Sequence, residues 1–267
     1  MDSTEITIEY LVEKELLHSD TVKKHRRKLE RFDQLLLGGE RNHAIESQVT
    51  TFMTMFTGRL EQVVIEYLCA VAGADFDKDY RSQLQLISGG EFRDDSVTKA
   101  RRSIDLVVVD RNDDQVPSPG SQHWLPVVAV EAKYGAWVNA GNGYCGFTKE
   151  KDRHEDGHLP YSSQAICYPH GCIDKRLDSA KGVRFVWLGE GNPDVDNVGP
   201  WGRRGLYSAD KNRIPGYDVA FKLQEKAKFI WKPATWAELG AAISKEIGGA
   251  EAEAIVRFLR AGGPTAN

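Results

Sequence analysis

The sequence predicts an α/β fold, with a central mixed β-sheet flanked by helices and an N-terminal helical extension in front of it. Three observations predict it. Residues 104–109 (IDLVVV) and 125–130 (LPVVAV) are short β-branched apolar runs of the kind that form buried strands. Residues 44–72 set Ile45, Val49, Phe52, Phe56, Leu60, Val63, Val64, Tyr67 and Leu68 at helical spacing. Residues 227–247 (AKFIWKPATWAELGAAISKEI) pass from strand-like to helix-like, with Thr235 placed as an N-cap.

In chain order, residues 4–17 form a first expected helix. A second is opened by Asp20 as N-cap and stopped by Gly38 and Gly39. It carries Lys23, Lys24, His25, Arg26, Arg27, Lys28 and Arg31 on a spine of Val22, Leu29, Phe32, Leu35 and Leu36. Such a run is either a phosphate-contacting surface or a solvated face, and the sequence leaves both open. Residues 1–43 make up the extension and 44–267 the main domain. The helix over 44–72 is expected to break or kink at Gly58 and to end at Gly73. The central strands are joined by a polar connection, RNDDQVPSPGSQHW, which predicts a hairpin-like pair. A Gly/Asn-rich loop (139–146), a short helix (162–168), a strand (183–188, VRFVWL) and a long irregular loop (189–217) complete the pattern.

At 267 residues, 41% hydrophobic and 28% charged, the composition is that of an ordinary globular protein. No apolar run approaches the roughly 20 residues needed to cross a bilayer. The start, MDSTEITIEYLVEKELL, lacks the basic and apolar segments of a signal peptide, so a cytoplasmic protein without membrane contact is expected. Cys69, Cys145, Cys167 and Cys172 fit a reducing compartment. The net charge of −4 excludes a polycation that coats nucleic acid, although an acidic chain can still concentrate Arg and Lys on one face. Neither a phosphate-cradling G-x-x-x-x-G-K-[ST] loop nor a Ser/His/Asp arrangement is present.

The chemistry resides on the two central strands. Asp105 opens one of them, and Glu131 and Lys133 close the other, in V-E-A-K. Acids abutting apolar strands are costly unless paired or bound to a cation. Two positions apart on a strand, Glu131 and Lys133 point to the same face. If Asp105 projects there too, two carboxylates and one ammonium converge, a donor set suited to Mg²⁺ with Mn²⁺ as a substitute. The lysine would orient or help deprotonate an attacking water and offset charge on the phosphate.

In these residues the chain resembles the PD-(D/E)XK, or restriction-endonuclease-like, nuclease superfamily, whose signature is an acid on one strand and (D/E)-x-K on the next. Ile104 stands where the family's proline often precedes the aspartate. The resemblance implies a restriction-endonuclease-like core and a Mg²⁺-dependent DNA endonuclease, of restriction or phage-defence type. It also implies a third acid from the helix before the first strand. Glu61 is the expected residue, since at 100° per residue it lies about 60° from the centre of the apolar stripe, with Glu46 second and Glu66 toward solvent. Gln164 and Tyr168, on the helix after E-A-K, match a Q-x-x-x-Y motif similar to that of RecB-type and phage exonuclease-type members. That similarity carries an alternative, a repair or recombination nuclease. A second alternative is a non-catalytic DNA-binding module of the same fold.

DNA is the implied partner, and a homodimer the expected assembly. Arg203, Arg204 and Tyr207 mix guanidinium groups with an aromatic ring in one loop, and are the first choice for contacting DNA. Arg101 and Arg102 precede the Asp105 strand and would line the same cleft. His154, His158, Cys167, His170 and Cys172 cluster, but not in the paired spacing of zinc sites, so zinc is not expected.

Overall fold

A computed structural model describes residues 5–38, 46–74, 76, 78–88, 104–110, 125–133, 184–189 and 231–260. The N-terminal part holds α1 (Ile8–Glu13), α2 (Ser19–Lys24), a 3₁₀ turn (Arg26–Lys28) and α3 (Leu29–Leu37). Then come α4 (Glu46–Met53), α5 (Gly58–Val71), the short α6 (Lys78–Arg81) and β1 (Leu84–Ser88). The strands β2 (Leu106–Asp110), β3 (Leu125–Ala132), β4 (Arg184–Gly189) and β5 (Trp231–Thr235) follow, and α7 (Trp236–Ile247) and α8 (Gly249–Arg260) close the described chain.

The strands form one mixed sheet in the order β1-β2-β3-β4-β5. β1, β2 and β3 run as an antiparallel meander, with Leu106 opposite Val130 and an irregularity between Val108 and Val109. β3, β4 and β5 pair parallel, with Glu131 opposite Trp187 and Trp187 opposite Pro233. An α/β architecture with a mixed sheet and flanking helices is therefore what the chain builds, and β2 and β3 pair antiparallel as the sequence predicts.

One face of the sheet supplies Leu86, Leu106, Val108, Val128, Val130, Val186, Leu188 and Ala234 to a hydrophobic core shared with the helices. α5 lies against α7 and β1, α7 against α8, and α8 against α3. Alternation puts Val107, Ala129, Glu131, Phe185 and Trp187 on the opposite face, where they too are buried.

Three local readings differ from the structure, each for a physical reason. The second helix is interrupted by the 3₁₀ turn, and its N-cap is His18, with Asp20 inside the first turn and bonded to Lys23. Lys23/Arg27 and Lys24/Lys28 would be like-charge i,i+4 neighbours in an unbroken helix, which disfavours it. The helix expected over 44–72 is two helices, and the break precedes Gly58. Residues 54–57 turn aside to pair with the extension: Leu17 bridges Phe56, the His18 amide donates to the Met55 carbonyl at 2.7 Å, and that of Thr57 to Leu16 at 3.1 Å. Gly58 then re-enters the helix at φ +56°, a conformation that favours glycine. Finally, the sequence does not predict α6, β1 or α8 as elements; KDYR and LQLIS are short, and α8 begins at the second glycine of the pair Gly248-Gly249, a helix breaker.

Candidate active site

Asp105, Glu131 and Lys133 come together where β2 begins and β3 ends. Leu106 pairs with Val130, so the antiparallel register sets Asp105, one residue before β2, beside Glu131 and Ala132. The Ala132 amide donates to the Asp105 carboxylate at 2.9 Å, which fixes this acid against the edge of β3. Glu131 is fully buried and Lys133 nearly so. The Lys133 ammonium lies 2.6 Å from the Glu131 carboxylate and 3.9 Å from that of Asp105. Asp105 keeps about a fifth of its side chain exposed, so the group opens to solvent on the aspartate side.

Burial makes this arrangement demanding. A carboxylate taken out of water is destabilised by several kcal/mol unless an opposite charge and hydrogen bonds compensate it. Here the Lys133 ammonium lies within 3.9 Å of both acids and supplies an opposite charge to each. The Trp187 ring, 6.0 Å from the Lys133 nitrogen, adds an aromatic face on the same side of the sheet.

The backbone beneath the lysine is tied at both ends. Its amide donates to the Leu188 carbonyl at 2.8 Å, continuing the parallel β3/β4 pairing by one residue. Its carbonyl accepts from the buried indole N–H of Trp236 at 3.0 Å. Trp236 is the first residue of α7, and that helix start is itself fixed. Thr235 and Glu238 form a reciprocal capping box, and the Tyr67 hydroxyl on α5 lies 3.3–3.4 Å from Thr235 backbone atoms and the Glu238 carboxylate. Trp236 is a positioning residue that the sequence reading passed over. Its signal was available, because a tryptophan directly after an N-cap at a sheet edge has a ring N–H to satisfy.

Glu61 bonds to β1. Its carboxylate accepts from the Leu86 amide of β1 at 3.0 Å. That contact is two strands from Glu131, and β1 is the first strand in the sheet order. Among the described residues no three His, Cys, Asp or Glu side chains form a metal-holding group. Glu46 opens α4, but its side chain lies outside the described residues. Glu66 accepts from Gln62 at 3.1 Å and faces Arg59 at 3.9 Å, away from the sheet group. Gln164, Tyr168, Arg101, Arg102, Arg203, Arg204, Tyr207 and the His/Cys cluster all lie outside the described residues.

The two carboxylates are hard oxygen donors, the ligand type that a divalent cation such as Mg²⁺ takes. No family model, no curated protein and no solved structure matches the chain.

Proposed function

We propose that this protein is a divalent-metal-dependent phosphodiesterase acting on DNA, with a restriction-endonuclease-like core. The observation that carries the reading is the convergence of Asp105, Glu131 and Lys133 at the junction of two antiparallel strands. The spacing of this acid and the E-A-K triplet resembles the PD-(D/E)XK signature. Asp105 and Glu131 would hold Mg²⁺ or Mn²⁺, which when bound would polarise the phosphate and acidify a water. Asp105 is bonded to the strand edge through one oxygen and would present its partly exposed side to the substrate. Lys133 would orient the attacking water and balance charge on the phosphate. Among the described residues no helix is long and apolar enough to cross a membrane, and a cytoplasmic homodimer is the assembly proposed.

The test is cleavage of supercoiled plasmid with Mg²⁺, with and without EDTA, by the wild type, Asp105→Asn and Glu131→Gln. Discrete metal-dependent fragments, lost in both variants while their folded far-UV spectra persist, are expected. Progressive shortening from the ends would point to the exonuclease alternative. Undiminished cleavage in either variant would move the site elsewhere, and an inert wild type would favour a binding module whose trio is structural.

A further inference from the structure

We propose that the basic turn joining α2 to α3 is a docking surface for the phosphate backbone of a nucleic acid, separate from the Asp105–Glu131–Lys133 group. It rests on the nucleic-acid reading above and adds a second contact surface to it.

Between Ser19 and Arg31 the chain carries six Lys and Arg against two acids, in a protein whose net charge is −4. The positive charge is therefore locally concentrated, as the overall composition does not show. Asp20 is taken up by Lys23 at 3.0 Å. Lys24, Arg26, Arg27 and Lys28 are exposed and have no acidic partner among the described residues. The crowding is felt locally, for the His25 imidazole is pushed below its ordinary value by burial and then by the charges of Lys28 and Lys24.

The backbone holds these cations in a fixed array. Val22, Phe32, Leu35 and Leu36 are buried on either side of the turn and anchor α2 and α3 to the core. Arg26–Lys28 form a 3₁₀ turn, where three residues complete one revolution and successive side chains diverge. Diverging cations cannot close on a single phosphate, but they can meet several along a polyanion. An anionic membrane fits less well. A surface-lying helix inserts an apolar face between lipids, and the apolar residues of this segment are committed to the core.

The location separates this surface from the trio. His18, the N-cap of α2, and Thr21 in its first turn share a cleft with Glu61 of α5 and with Gln83, Leu84 and Gln85 at the start of β1. Leu84 pairs with Asp110, the end of β2 away from Asp105. Along β2 alone that is about 15 Å. A duplex touching both would be gripped at two points.

The experiment measures binding of the full chain to a short labelled DNA duplex in EDTA, so that cleavage plays no part. Anisotropy is followed from about 50 to 200 mM salt for the wild type and for K24Q/R26Q/R27Q/K28Q. The four side chains are solvent-facing, so the variant is expected to keep the wild-type Tm; R26Q/R27Q serves if it does not. Each lost phosphate contact lowers the slope of log K against log salt by about 0.9. The quadruple variant is expected to lose about 3.6 units of slope and more than tenfold in affinity, with R26Q/R27Q losing about half of that slope. An unchanged slope overturns the proposal. Wild type that binds vesicles rich in phosphatidylserine but not the duplex, or that binds neither, overturns it too. Wild type that binds through this turn yet never cuts plasmid refutes the nuclease reading alone, and an active nuclease with an unchanged slope refutes this proposal alone.

Discussion

Lys133 carries the sharpest consequence at the level of single residues. Its ammonium lies 2.6 Å from a fully buried carboxylate, so removing it exposes Glu131 to a low-dielectric environment without that compensation. Breaking one side of a buried ion pair typically costs about 3–5 kcal/mol, whereas replacing both sides can be close to neutral. Lys133→Met is therefore expected to lose several kcal/mol in urea unfolding, and Lys133→Met/Glu131→Gln to recover most of it. A double variant whose loss equals the sum of the Lys133→Met and Glu131→Gln losses would show that the pair is not coupled. The Asp105, Glu131 and Lys133 identities were legible in the sequence because polar residues abutting apolar strands stand out. The placement of Glu61 was not. Its angular position at the rim of the α5 stripe does not say which strand it meets, and one of its oxygens accepts from the Leu86 amide.

At the level of elements, the start of α7 decides how firmly the trio is held. Thr235 caps the helix and Trp236 beside it bonds the Lys133 carbonyl, so fraying there reaches the end of β3. Thr235→Ala is expected to cost about 1 kcal/mol and a few degrees of Tm. The effect depends on pH, and its direction is fixed. The Thr235 hydrogen bond holds the Glu238 carboxyl below the ordinary carboxylate range. A lowered folded-state value means that this stabilisation is present above the unfolded value and lost as pH falls through the folded one. The difference between wild type and Thr235→Ala should thus be full near neutral pH and shrink as pH falls below the ordinary carboxylate range, leaving the bond from the Glu238 amide to the hydroxyl. A Tm difference undiminished in acid would assign the cap to the hydroxyl alone. The cap itself was readable, because Thr235 and Glu238 have the spacing of a capping box ahead of an apolar period. The break between α4 and α5 was readable only as a glycine, since the pairing partner of residues 54–57 lies some forty positions earlier in the chain.

Across the whole molecule, the N-terminal extension shares the core of the rest. Phe258 of α8 stacks on Phe52 of α4 at 4.0 Å and meets Phe32 of α3 edge-on at 5.4 Å. The Tyr10 hydroxyl donates to Glu251 at 2.7 Å, and Arg257 donates to the Leu36 carbonyl at 3.0 Å. Truncating a buried phenylalanine usually costs about 3–5 kcal/mol. Phe258→Ala is expected to lower the hydrogen-exchange protection of α3 and α5 together, as one cooperative unit. A variant in which α1–α3 opened first, with α5 unaffected, would show that the extension is energetically separate.

What the sequence determined by itself is whatever depends on local period and residue type: β2 to β5, the capped α7, the α/β class and the acid–acid–lysine set. Each is set by alternation, apolar runs or a cap within a few residues, and those signals survive without knowledge of the neighbours. The tertiary structure decided the rest. It broke the long helix against the extension, made LQLIS an edge strand, gave Glu61 to Leu86, and tied Lys133 to Trp236 across 103 positions. Those outcomes are choices among partners that a residue could satisfy equally well nearby, and only the packing of distant segments settles which polar group each one meets.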